Sequence, residues 1–69
     1  MSTATYTVTG MTCRHCVASV TEEIGEIAGV TGVDVDLESG AVTVTSERDI
    51  TDDAVRAAVE EAGYEVVAA

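Results

Sequence analysis

The sequence predicts an α+β fold: a four-stranded antiparallel sheet in the order 4-1-3-2 with two helices on one face. Three observations carry it. Four short segments alternate apolar and polar residues with a period of two, two longer ones repeat apolar residues at helical spacing, and their order is strand, helix, strand, strand, helix, strand. Two βαβ-like halves joined by a hairpin, with right-handed crossovers, leave this two-layer βαββαβ arrangement as the common solution. The 69 residues are expected to form one domain, residues 1–69.

Thr5-Tyr6-Thr7-Val8-Thr9 is β-branched or aromatic throughout, so it reads as the first strand with Tyr6 and Val8 facing inward and Gly10 ending it. From Cys13 or Arg14 the period changes. Val17, Val20, Ile24 and Ile27 form one helical stripe, Glu22, Glu23 and Glu26 fall mostly opposite, and Gly29 is the expected stop. Val33-Asp34-Val35-Asp36-Leu37 alternates as the second strand, Glu38-Ser39-Gly40 supplies turn chemistry, and Ala41–Thr45 completes a hairpin. Thr51 is the expected N-cap of a second helix, with Asp52 and Asp53 in its first turn, where negative charge suits the dipole. Val55, Ala58, Val59 and Ala62 give its apolar stripe and Gly63 its C-terminal cap, before a closing strand Tyr64–Val67. In this order the first and fourth strands are antiparallel neighbours, so the loop at 10–16 and the turn at Gly63-Tyr64 should meet at one edge of the molecule.

Composition narrows the function. Thirteen acidic against three basic residues, a net charge of −10, exclude nucleic acid as a partner, because phosphate binding needs a basic face. A polybasic membrane anchor is excluded on the same ground, and no apolar run approaches the ~20 residues that span a bilayer. The start of the chain lacks the pattern of a secretory signal, so a cytoplasmic location is expected. The excess of acid has two readings, a solvated compositional habit or a surface for a partner. Glu60, Glu61 and Glu65, which oppose the dipole at the end of the second helix, favour the partner.

The chemistry sits at Gly10-Met11-Thr12-Cys13-Arg14-His15-Cys16. Two thiols three residues apart, the first in a loop and the second in the first turn of a helix, can face one point. A thiol of pKa ~8.5 is only about 3% ionised at pH 7, and a helix N-terminus shifts that by roughly one unit. Arg14 adds to the field, but full deprotonation must come from a bound metal. Soft thiolates select Cu(I), zinc or iron–sulfur clusters, and the last two ordinarily need four ligands. Two sulfurs and one nearby imidazole suit Cu(I) in near-linear coordination, with Ag(I) or Hg(II) as chemical mimics. The loop lies outside the Val/Ile core, so both sulfurs are expected to be exposed. The rival chemistry is a thiol–disulfide redox carrier, disfavoured because the chain has no Pro and no Trp. Met11 reads as apolar filler rather than ligand. His15 either tunes the thiolates, adds a ligand in a dimer, or is merely solvated, and Tyr64 is either site wall or core edge.

The whole string from Gly10 to Cys16, with Val17/Val20, Gly29-Val30, Val33, Val35-Asp36-Leu37, Gly40, Val42, Val44 and Ala62-Gly63-Tyr64, resembles the heavy-metal-associated (HMA) domain family across essentially the full chain. Within that family it is most similar to the small bacterial copper chaperones. The resemblance implies a ferredoxin-like fold, Cu(I) held by Cys13 and Cys16, Met11 packed beneath the loop and Tyr64 close to the site. Thr12 matches the copper-type motif, where zinc-transporting relatives often carry Asp. It further implies a non-enzymatic carrier that delivers Cu(I) to the metal-binding domain of a copper-transporting P-type ATPase. A copper-responsive regulator is a further partner and a copper-linked homodimer a further state. Two related alternatives are a domain excised from a heavy-metal ATPase, against which Met1 and the length argue, and a mercury-binding relative, disfavoured by the missing signal.

Overall fold

The structure, a computed structural model, describes residues 2–12 and 14–68. Its elements follow the expected order: β1 (Ser2–Thr9), α1 (Arg14–Gly25), β2 (Val30–Asp36), β3 (Ala41–Ser46), α2 (Asp52–Glu61) and β4 (Glu65–Ala68). The strands form one antiparallel sheet, β2-β3-β1-β4, which is the predicted 4-1-3-2 order read from the other edge. Tyr6, Val8, Val42, Val44 and Val66 from the sheet meet Val20, Ile24, Val55 and Val59 from the helices in a single core. With no Phe or Trp in the chain, small β-branched side chains fill this layer, each worth roughly 1.5–3 kcal/mol on full burial.

Six strand boundaries differ from the sequence reading. β1 begins at Ser2, β2 spans Val30–Asp36, β3 runs on to Ser46, and β4 spans Glu65–Ala68. For β1, β2 and β3 the reason is ladder pairing: Ser46 lies opposite both Ser2 and Val30, so these strands extend one another beyond their apolar stretches. The first helix also stops earlier than Gly29. It ends at Gly25, and the amides of Glu26 and Ile27 donate to the carbonyls of Glu23 and Ile24 at 3.3 and 3.0 Å, tightening the last turn. Ile27 still packs against the core from this turn, which is why it fits the helical stripe without being helical.

The second helix follows its caps closely. Thr51 is extended (φ −73°, ψ 150°) and its hydroxyl accepts from the Ala54 amide at 3.1 Å. At the other end the Gly63 amide donates to the Glu60 carbonyl (2.9 Å) and the Tyr64 amide to the Val59 carbonyl (3.0 Å), a Schellman pair that needs the positive φ of Gly63, +95°. Ala62 is the C-cap itself, and Gly63 is the residue after it.

At the pole where β1 begins, side chains tie the elements together. Ser2 Oγ donates to Asp49 Oδ1 at 2.6 Å, Ser46 Oγ to the Arg48 carbonyl at 2.6 Å, and Tyr6 Oη to Asp52 Oδ1 at 2.9 Å. Burial, and then the Asp52 carboxylate as hydrogen-bond partner and negative charge, raise the Tyr6 hydroxyl above the ordinary tyrosine value. A raised folded-state value favours the protonated phenol in the native state. Its contribution is therefore fully present below pH ~10 and is lost as pH climbs through the folded-state value. Tyr6→Phe is expected to lower stability by about 1.5–3 kcal/mol at pH 7, the size of a hydrogen bond to a charged acceptor. The gap between wild type and variant should close above pH 10 in urea melts. Parallel pH profiles would show that the Tyr6–Asp52 bond does not act.

Candidate metal centre

β1 runs out at Thr9, opposite Glu65 of β4, and the chain turns at Gly10 with φ +91°. A Cβ built on Gly10 would lie 3.2 Å from Cδ1 of Tyr64, so the tyrosine ring sits against the start of the loop. The Schellman turn at Val59–Tyr64 is what delivers the ring there. The topological expectation that the 10–16 loop and the 63–64 turn meet is therefore met at Gly10 and Tyr64. Met11 is half-buried and, like Tyr64, packs against the core. Thr12, Arg14 and His15 are exposed. Cys13 lies outside the described residues.

Cys16 corrects one expectation. It is the third residue of α1 and only 7% exposed, so its sulfur is not laid open to solvent. The cause is helical geometry: residues 16, 20 and 24 share one face four residues apart, and Val20 and Ile24 are wholly buried on it. The electrostatics complement this placement. The first turn of α1 carries no acidic residue, whereas that of α2 carries Asp52 and Asp53. The positive end of the α1 dipole thus has no carboxylate in its first turn to offset it beside the thiol.

Sequence reasoning missed a third segment at this pole. The β2–β3 turn reaches β1 two residues before Gly10, where the Val8 amide donates to the Gly40 carbonyl at 2.9 Å. The only signal for it in the sequence is Gly40, which reads there simply as a turn residue.

Across all but the ends of the chain, residues 5–65 match the heavy-metal-associated domain. The chain belongs to this family. "Copper chaperone CopZ" of Bacillus subtilis (strain 168) is 40% identical over 67 residues, which is 96% of this chain and 97% of that protein. A solved structure described as "CopZ metallochaperone" superposes with a TM-score of 0.90 at 37% identity, covering 96% of this chain and 100% of that one. A "copper binding domain from HMA7, a P-type ATPase" does so with a TM-score of 0.90 at 27% identity, covering 100% and 95%. The four antiparallel strands and two helices are thus those of a ferredoxin-like heavy-metal-associated domain.

Carboxylates surround the helix ends of this domain. Glu60, Glu61 and Glu65 are exposed, and Glu65 stands beside the loop through its pairing with Thr9. Glu23, in the last turn of α1, has its carboxyl raised by desolvation and then by the charges of Glu26, Glu61 and Glu22, so the two helices bring their acidic residues near one another. A raised folded-state value means native-state stability is lost as pH rises through it, from just above the ordinary glutamate range. Glu23→Gln is expected to raise Tm at pH 7 and ~10 mM salt, with the gain fading at 1 M salt, where the Debye length is about 3 Å. Unchanged melting at low salt would mean the carboxylates do not repel one another appreciably.

Proposed function

We propose that this heavy-metal-associated domain, residues 1–69 as a single unit, is a cytoplasmic copper chaperone. It carries Cu(I) on Cys13 and Cys16 and delivers it to the metal-binding domain of a copper-transporting P-type ATPase. The observation that carries the reading is Cys16: a thiol set in the carboxylate-free first turn of a helix, behind a glycine-hinged loop bearing a second cysteine. Two thiolates meet the needs of a soft monovalent ion that accepts two-coordinate binding. The copper-named relatives support the choice of cargo, and the ATPase domain of the same shape supports the choice of partner. Among the described residues no helix is long and apolar enough to cross a membrane.

Transfer is ligand exchange without redox change. A partner thiol loses its proton and its sulfur bonds to copper, giving a three-coordinate centre. The bond to one of the two cysteines then breaks, and the departing thiolate takes up a proton. A second exchange completes the hand-off. Cys16 is buried at the base of the site, so on this reading it is the ligand the partner reaches last. Thr12, Arg14 and His15 are exposed around that opening, where Arg14 and His15 act on the thiolates through charge, while Met11 and Tyr64 support the loop from beneath and beside. The same opening admits the thiolates of a second copy, so a copper-linked homodimer forms at high loading, and a copper-responsive regulator is a second recipient.

Anaerobic titration with Cu(I) against a competing chelator, run alongside Zn(II), tests the cargo. Tight Cu(I) binding with much weaker Zn(II) binding is expected, and the reverse order would overturn the reading. Cys13→Ser and Cys16→Ser should each weaken Cu(I) binding more than tenfold, or about 1.4 kcal/mol. Cys13→Ser should leave Tm unchanged and Cys16→Ser should lower it slightly, since a hydroxyl replaces a buried thiol. A variant within tenfold of wild type would contradict two-thiolate binding.

The partner is tested through charge. Rim charges act mainly on the association rate, and each exposed pair is worth ~0–1 kcal/mol. Changing Glu60, Glu61 and Glu65 together to Gln should slow transfer to an acceptor domain about tenfold at low salt and little at high salt. Cu(I) affinity should stay put. Equal low-salt rates would assign the acidity to composition alone.

A further inference from the structure

We infer that the β2–β3 turn is a brace for the metal loop, and that Gly40 is the residue that positions it. This rests on the copper-carrying reading. The register of β1 with β3, Tyr6 opposite Val42 and Thr7 opposite Ala41, continues to Val8 opposite Gly40, where the Val8 amide donates to the Gly40 carbonyl at 2.9 Å. On its other side β1 is irregular at this same place, because the β1–β4 register shifts between Thr7 and Val8. Such irregularities re-aim a strand, so the direction in which β1 enters Gly10-Met11-Thr12 is set by what holds Val8. The Gly40 contact is the regular half of that hold.

Gly40 is built for close approach. Its φ is +77°, and a Cβ there would lie 2.7 Å from the Val8 carbonyl oxygen, a backbone atom that cannot swing aside without disturbing the ladder. The turn around it is itself pinned. The Gly40 amide donates to the Asp36 carbonyl at 2.8 Å, the Glu38 amide to Asp36 Oδ1 at 3.0 Å, and the Ala41 amide to Ser39 Oγ at 3.3 Å. A rigid turn pressed on the end of β1 therefore fixes the take-off of the loop that carries Cys13 relative to the helix that carries Cys16. Gly29 makes the contrast: its φ is also positive, +96°, but a Cβ there meets only the flexible Arg48 side chain, at the opposite pole.

The test compares Gly40→Ala with Gly29→Ala. Both add a methyl group at positive φ, so backbone strain is common to the pair. In the metal-free proteins, amide chemical shifts of Val8 and of Gly10–Thr12 should move in Gly40→Ala and stay in Gly29→Ala. Cu(I) affinity by chelator competition should fall at least tenfold in folded Gly40→Ala and stay within threefold of wild type in Gly29→Ala. Affinity within threefold in folded Gly40→Ala, or losses in the two variants that simply follow their Tm losses, would overturn the brace. If Gly40→Ala does not fold, Asp36→Ala loosens the turn without a collision, and Asp34→Ala removes the same charge from the same strand. Asp36→Ala alone should speed hydrogen exchange at the Val8 amide and Cu(I) release severalfold. Faster exchange with unchanged release would overturn the proposal. Should the wild type take up no Cu(I), the functional reading fails on its own, and the shift experiment still decides the brace. Shifts reaching Gly10–Thr12 support it, and shifts ending at Val8 refute it.

Discussion

The fate of β1 at its last residues governs the rest of the molecule. As a central strand it is paired on both sides, and it hands the chain to the metal loop between two turns that press on it from different directions. Gly40 holds the Val8 backbone from the β3 side, and the Tyr64 ring lies on Gly10 from the β4 side. Both contacts depend on glycine: a side chain at 40 would strike a carbonyl, and one at 10 would press into the ring. The loop is thus seated at its base by a backbone contact and a ring, while Thr12, Arg14 and His15 stay open to solvent. Such a base holds its shape without committing the exposed side chains of the loop.

Charge is distributed to match. The −10 net charge is not spread evenly over function: α2 uses Asp52 and Asp53 to compensate its own dipole, and α1 leaves its N-terminus bare. An anionic ligand arriving at α1 meets a partial positive charge of about half a unit, with no carboxylate in that turn to compete. The carboxylates collect at the opposite ends of the helices, where dipole and charge disagree, and Glu23 shows the strain in its raised carboxyl. Of the acidic residues, Glu60, Glu61 and Glu65 lie by the turn that meets the loop, and on the copper-carrying reading they form the surface a partner meets.

Much of this was legible in the residues. Thr51 announced the start of α2 and Gly63 its end because capping is local chemistry between residues three or four apart. The strand order followed from element order and handedness alone. What escaped reading was non-local or ambiguous in period. Ile27 keeps the helical spacing after the helix has stopped, so periodicity could not distinguish Gly25 from Gly29 as its end. Cys16 stands four residues before Val20 on the buried face, so its burial is written in the same spacing that marks the helical stripe, although its place in the motif reads as exposed. Gly40 and Tyr6 act through Val8 and Asp52, more than thirty residues away, and no local pattern reports such pairs.

The two poles of the sheet are held by different means, and the difference bears on exchange. Where β1 begins, hydroxyls of Ser2, Tyr6 and Ser46 are bonded to Asp49, Asp52 and the Arg48 carbonyl, so side chains close that end. Where β1 ends, the elements meet through glycines, a Schellman turn and one ring, and the sulfur of Cys16 is the polarizable group drawn into the base. On the copper-carrying reading the site must release its ion, which needs ligands that can leave without the fold leaving with them. Fastening the sheet at the far pole, and seating the loop on the Gly40 backbone contact and the Tyr64 ring, separates the two requirements. Exchange at the loop then costs local rearrangement rather than global opening.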